Sequence, residues 1–73
     1  MLLRRIERHL KRTRTPPTRF GRDAIGDPNF VFNLRDGREP RPKTLVRVLS
    51  FIDAREKAYE AQLRALDVPE AAR

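Results

Sequence analysis

The sequence predicts a small all-α protein, a bundle of four to five helices. Three observations carry that expectation. Apolar residues recur at helical spacing near both ends of the chain. Pro and Gly fall between these runs and not inside them, apart from Gly21. The one strand-like stretch, Phe30 to Leu34, has no convincing strand to pair with.

Residues 2–13 form the first helix, with Leu2, Leu3, Ile6 and Leu10 on one face and Arg4, Arg5, Arg8, Lys11 and Arg12 around the rest. Pro16 and Pro17 end it, and Thr15 is the expected cap of a second helix over 16–25. Phe20, Ala24 and Ile25 are its buried side. Gly21 lowers helix propensity there, which implies close approach of another helix.

Gly26 and Asp27 make the turn into residues 28–36. As a strand, this segment would point Val31 outward. As a helix it has Asp27 as N-cap, Pro28 at the first position and Gly37 just past the end. Val31, Leu34 and Phe30 then face the core, and Asn29, Phe32, Asn33 and Asp36 face out or sideways. The helix is the better reading.

Gly37, Pro40 and Pro42 break the chain into a loop. Leu45, Val48, Leu49 and Ile52 mark a helix over 43–52. Asp53 with Glu56 reads as a capping box, which predicts a separate helix over 54–67; one long helix is the alternative. Residues 69–73 are expected to fray, leaving residues 1–68 as a single domain.

The chain of 73 residues carries 17 Lys and Arg against 10 Asp and Glu, a net charge of +7. Residues 1–22 hold eight cations and one acid, so the whole excess sits in the first third. That pattern predicts one basic face and an anionic partner, nucleic acid before a membrane surface. No apolar run reaches the length of a membrane span. One His, no Cys and a single Ser leave no nucleophile–base set and no thiolate metal site, so neither an enzyme nor a metal or other cofactor is expected. His9 reads as a surface residue without a role.

Two stretches carry a resemblance. Leu34-Arg35-Asp36-Gly37 is followed by Arg38-Glu39-Pro40, then by Thr44, Leu45 and Val48, and Phe20-Gly21 stands in the preceding helix. Over roughly residues 3–52 this order resembles the lambda-repressor-like (Cro/repressor-type) helix-turn-helix family. The turn Gly falls one position later than is usual there, and Asp27-Pro28 stands where such proteins often carry Ser, Thr or Gln.

The resemblance implies a small transcriptional regulator that binds double-stranded DNA, with helix 28–36 in the major groove. By position, Asn29, Phe32 and Asn33 would reach base edges. Thr18, Arg19, Arg22, Arg38, Arg41 and Lys43 would contact phosphates. Phe51, Tyr59, Leu63 and Leu66 exceed the needs of a small core and are candidates for a homodimer interface. A cytoplasmic, nucleoid-associated protein of bacterial or phage type follows, with no membrane partner and no small-molecule substrate. The competing expectation is a protein-interaction module on the same fold, antitoxin- or adaptor-like, or a non-specific nucleic-acid binder.

Overall fold

The computed structural model describes the backbone of residues 2–71 and the side chains of residues 2–66. The described chain is all-helical. Its helices are α1 (Leu2–Thr13), α2 (Pro17–Ile25), α3 (Phe30–Arg35) and α4 (Pro42–Ala71). The core joins Ile6 and Leu10 of α1, Phe20 and Ala24 of α2, Phe30, Val31 and Leu34 of α3, and Val48 and Ile52 of α4. Leu2, Leu3, Ile25 and Phe51 pack around it, half-buried.

The first three helices each end for an identifiable reason. At the end of α1, Arg14 takes a left-handed φ of 53° and Thr15 N–H returns to the Leu10 carbonyl at 3.0 Å. This is the Schellman closure with Arg in place of the usual Gly. The Thr15 hydroxyl is engaged by Thr13 at 2.8 Å, so Thr15 does not cap α2. Pro16 holds the extended N-cap position and α2 begins at Pro17, where a missing N–H costs nothing.

Gly26, at φ 71°, turns the chain out of α2. Asp27 N–H then donates to the Gly21 carbonyl at 3.1 Å. The backbone passes so close that a Cβ on residue 21 would stand 2.1 Å from the Asp27 carbonyl oxygen and 3.2 Å from Phe30 Cβ. The glycine in mid-helix is therefore the condition for α3 to lie against α2.

The third helix is shorter than the expected 28–36. Asp27 Oδ1 accepts the Asn29 N–H at 2.9 Å, an Asx turn that puts Pro28 and Asn29 ahead of the first helical turn. Gly37 ends the helix as anticipated, at φ 93°, with Gly37 N–H to Leu34 O and Arg38 N–H to Asn33 O, both at 3.0 Å.

The expected break at Asp53 is absent. One helix of 30 residues runs from Pro42 to Ala71. At a rise of about 1.5 Å per residue it accounts for most of the long axis, which measures 50 Å. The acids that read as a capping box point sideways to α1: Asp53 accepts from Arg5 at 2.6 Å, and Glu56 meets His9 Nδ1 at 2.9 Å and Arg12 at 3.3 Å. Glu60 adds a second contact to Arg12 at 3.3 Å. Since partner numbers rise together along both helices, α1 and α4 run parallel. The tail expected at 69–73 falls on α4 as far as Ala71; residues 72 and 73 lie outside the described residues.

His9 is not a surface residue. It is 4% exposed, set edge-on to Phe20 with ring centroids 5.5 Å apart, and its position one turn after Ile6 puts it on the buried stripe of α1. Leu45 and Leu49, on the apolar spacing that marked this helix, are half-buried.

Candidate nucleic-acid interface

With Phe30, Val31 and Leu34 turned into the core, the other residues of α3 and its N-cap are left outside. Asn29 and Phe32 are exposed and Asn33 is half-buried, which is the outward set expected from helical spacing. Phe32 is 42% exposed, and its ring lies 5.6 Å from the Arg35 guanidinium carbon. Arg35 is in turn tied to Glu7 of α1 by paired contacts of 2.8 Å. The guanidinium bond holds the Glu7 carboxyl below its ordinary range, and the Glu7 bond raises Arg35 above its own.

Asn33, Arg38 and Arg41 come together. They line a shallow groove between α3 and the start of α4, of about 250 Å³, with Thr44 on its far side. Asp27 and Glu39 share the groove, so its formal charges balance locally. Asp27 spends one oxygen on the Asn29 N–H.

Thr18, Arg22 and Lys43 are exposed but do not line this groove. Among the described residues, Arg22, Arg38, Arg41 and Lys43 make no ion pair. Arg19 is drawn elsewhere. Its Nε lies 3.5 Å from Asp23, one turn on, and it lines a different cleft with Phe51 and Tyr59.

The expected single basic face is divided. Arg5 and Arg12 turn toward the acids of α4, whereas Arg4, Arg8 and Lys11 are exposed and unpaired among the described residues. The cations of the first third thus serve two ends, one of them internal. Of the dimer candidates, Phe51 packs edge-on against Phe20 at 5.6 Å under Arg55, and Tyr59 lies beneath Arg12. Leu63 and Leu66 are 41% and 68% exposed, beyond the last α1 contact at Glu60.

His9, Arg14, Asp23 and Arg55 were not singled out by sequence reasoning, yet they converge on the cleft that takes Arg19. The available signal was His9 at three residues from Ile6 on the apolar stripe. No helix among the described residues is long and apolar enough to cross a membrane. The chain matches no protein-family model, no curated protein and no solved structure.

Proposed function

We propose that the chain binds duplex DNA through α3, as a small transcriptional regulator of the lambda-repressor-like helix-turn-helix type. The observation that carries this reading is the α2–α3 pair. Its backbone-to-backbone contact at Gly21 and Asp27 leaves no freedom of spacing, and it presents Asn29, Phe32 and Asn33 outward. In this reading Asn33 and Asn29 pair with base edges, adenine being the best match for an amide. Phe32 lies against a thymine methyl or a sugar. Thr18, Arg19, Arg22, Arg38, Arg41 and Lys43 hold the flanking phosphates, which supply most of the affinity. The net charge of +7 favours the same partner. The exposed Leu63 and Leu66 extend the reading to a homodimer on a two-fold site.

Selection of bound sites from random duplex DNA, repeated at two salt concentrations, tests it. The expected result is an enriched site whose affinity falls steeply with salt. Equal recovery of all sequences removes sequence-specific regulation and leaves electrostatic coating.

One observation favours a second reading, a protein-interaction module. Phe32 is a large exposed ring whose neighbour Arg35 is already committed to Glu7. Capture of one stoichiometric protein partner through Phe32, with DNA failing to compete, decides for it.

A further inference from the structure

The cleft at the junction of α1, α2 and α4 combines aromatic, cationic and acidic side chains. Its floor is aromatic: His9 and Phe51 each stand edge-on to Phe20, with centroids 5.5 and 5.6 Å away. Tyr59 lines it as well. Its rim is cationic. Arg19 Nε and Arg55 Nη2 approach the same Asp23 oxygen at 3.5 and 3.9 Å, so two guanidinium groups share one carboxylate over long contacts. Arg55 also lies 5.0 Å above the Phe51 ring.

His9 adds a polar group to the same cleft. Its side chain is 3% exposed and its Nδ1 is committed to Glu56. Its Nε2 has no hydrogen-bond partner among the described residues, yet no buried side-chain nitrogen or oxygen there is sealed without one. His9 is one of the residues that line the cleft.

We propose that this cleft binds a small planar aromatic carboxylate. The ring enters against Phe51 and Tyr59, with Phe20 behind them, where offset and edge-on contacts are available. The carboxylate takes the unused donors of Arg55 and Arg19, whose planar forks match it. Nε2 of His9 supplies one further polar contact at depth. Size fits the class: an engineered cavity of about 150 Å³ accepts benzene, and the cleft offers about 250 Å³, room for a ring system and its carboxylate. A bare inorganic anion would leave the aromatic walls wet, and a neutral aromatic would leave the guanidinium groups without a new partner. The proposal does not depend on DNA binding.

The test is a ¹H–¹⁵N NMR titration of the full chain with indole-3-carboxylate, run beside indole-3-carboxamide and inorganic phosphate. Saturable shifts at the amides of Phe20, Arg55 and Tyr59 are expected with the carboxylate. The carboxamide should bind at least about tenfold more weakly, the usual worth of a charge-assisted hydrogen bond. Arg55→Gln, an exposed substitution whose spectrum reports whether the fold is kept, should weaken the carboxylate by about tenfold as well. Four results overturn the proposal: no saturable shift, equal binding of the carboxamide, the same shifts from phosphate alone, or an Arg55→Gln variant that is folded and binds unchanged.

Discussion

Arg35 and Glu7 meet side-on, with the guanidinium Nε and Nη2 each 2.8 Å from a different carboxylate oxygen. The pair ties the last turn of α3 to α1. It is half-exposed, so it steadies orientation more than it adds stability.

The pair makes stability depend on acid in a definite direction. The Arg35 hydrogen bond, helped by the charges of Arg35 and Lys11, holds the folded Glu7 pKa below its ordinary value of 4.5. A depressed carboxylate contributes stability that is present above the unfolded pKa and is lost as pH falls through the folded pKa. Glu7→Gln should therefore melt below the parent at about pH 7, and the gap should be smaller at about pH 3. Thermal denaturation followed by circular dichroism reads both; an equal gap at the two pH values refutes the assignment.

Gly21→Ala sets two effects against each other. Alanine gains up to about 1 kcal/mol in helix propensity. The new Cβ falls 2.1 Å from the Asp27 carbonyl oxygen, a backbone atom that cannot rotate away. Forced overpacking costs about 1–3 kcal/mol or more, so the net change is destabilising. Urea denaturation should show a lower midpoint; a higher one means that α3 does not approach α2 this closely.

His9→Ala removes a ring that touches Phe20 and accounts for the contact to Glu56. A cavity left in so small a core should cost about 2–4 kcal/mol. A surface histidine would cost within about 0.5 kcal/mol. Chemical denaturation of the variant distinguishes the two outcomes.

Within the DNA-reading proposal, two substitutions should separate by kind. Asn33→Ala should relax the choice of base at one position, a loss of about 1–3 kcal/mol in discrimination. Arg41→Ala should weaken all sequences alike and reduce the slope of affinity against salt by about 1. Fluorescence anisotropy on the selected site and a scrambled one, over a salt series, measures both. The reverse pattern would exchange the roles of the two residues.

The exposed Leu63 and Leu66 test self-association. The double change Leu63→Glu with Leu66→Glu touches no core residue, so the helical signal should persist. Sedimentation should show a dimer for the parent and a monomer for the variant. A parent that sediments as a monomer at high concentration ends the homodimer reading.

What was legible in the sequence was local. The stripes of α1 and α2, the outward set Asn29, Phe32 and Asn33, and the stop at Gly37 follow from spacing and turn chemistry alone. What was not legible depended on partners far along the chain. Asp53 and Glu56 have the form of a cap, and only the arrival of Arg5 and His9, 48 and 47 residues away, gives them another use. The same contact buries His9, whose side chain alone suggests a wet position. Spacing also does not reveal the turn at Asp27, whose side chain takes the Asn29 N–H and whose carbonyl takes the Phe30 N–H, leaving Pro28 and Asn29 ahead of α3. The cleft beneath Arg55 combines three helices, so no single segment announces it.

The parallel pairing of α1 with α4 has a consequence for how the protein is made. A chain synthesised from its N-terminus produces α1 first, but the acids that face Arg5, His9 and Arg12 lie at Asp53, Glu56 and Glu60. Until those acids have been made, the Arg-rich flank of residues 2–13 lacks these partners, and a segment of 12 residues is marginal as a helix by itself. Ordering of α1 and completion of the core therefore wait together on residues as far along the chain as Glu60.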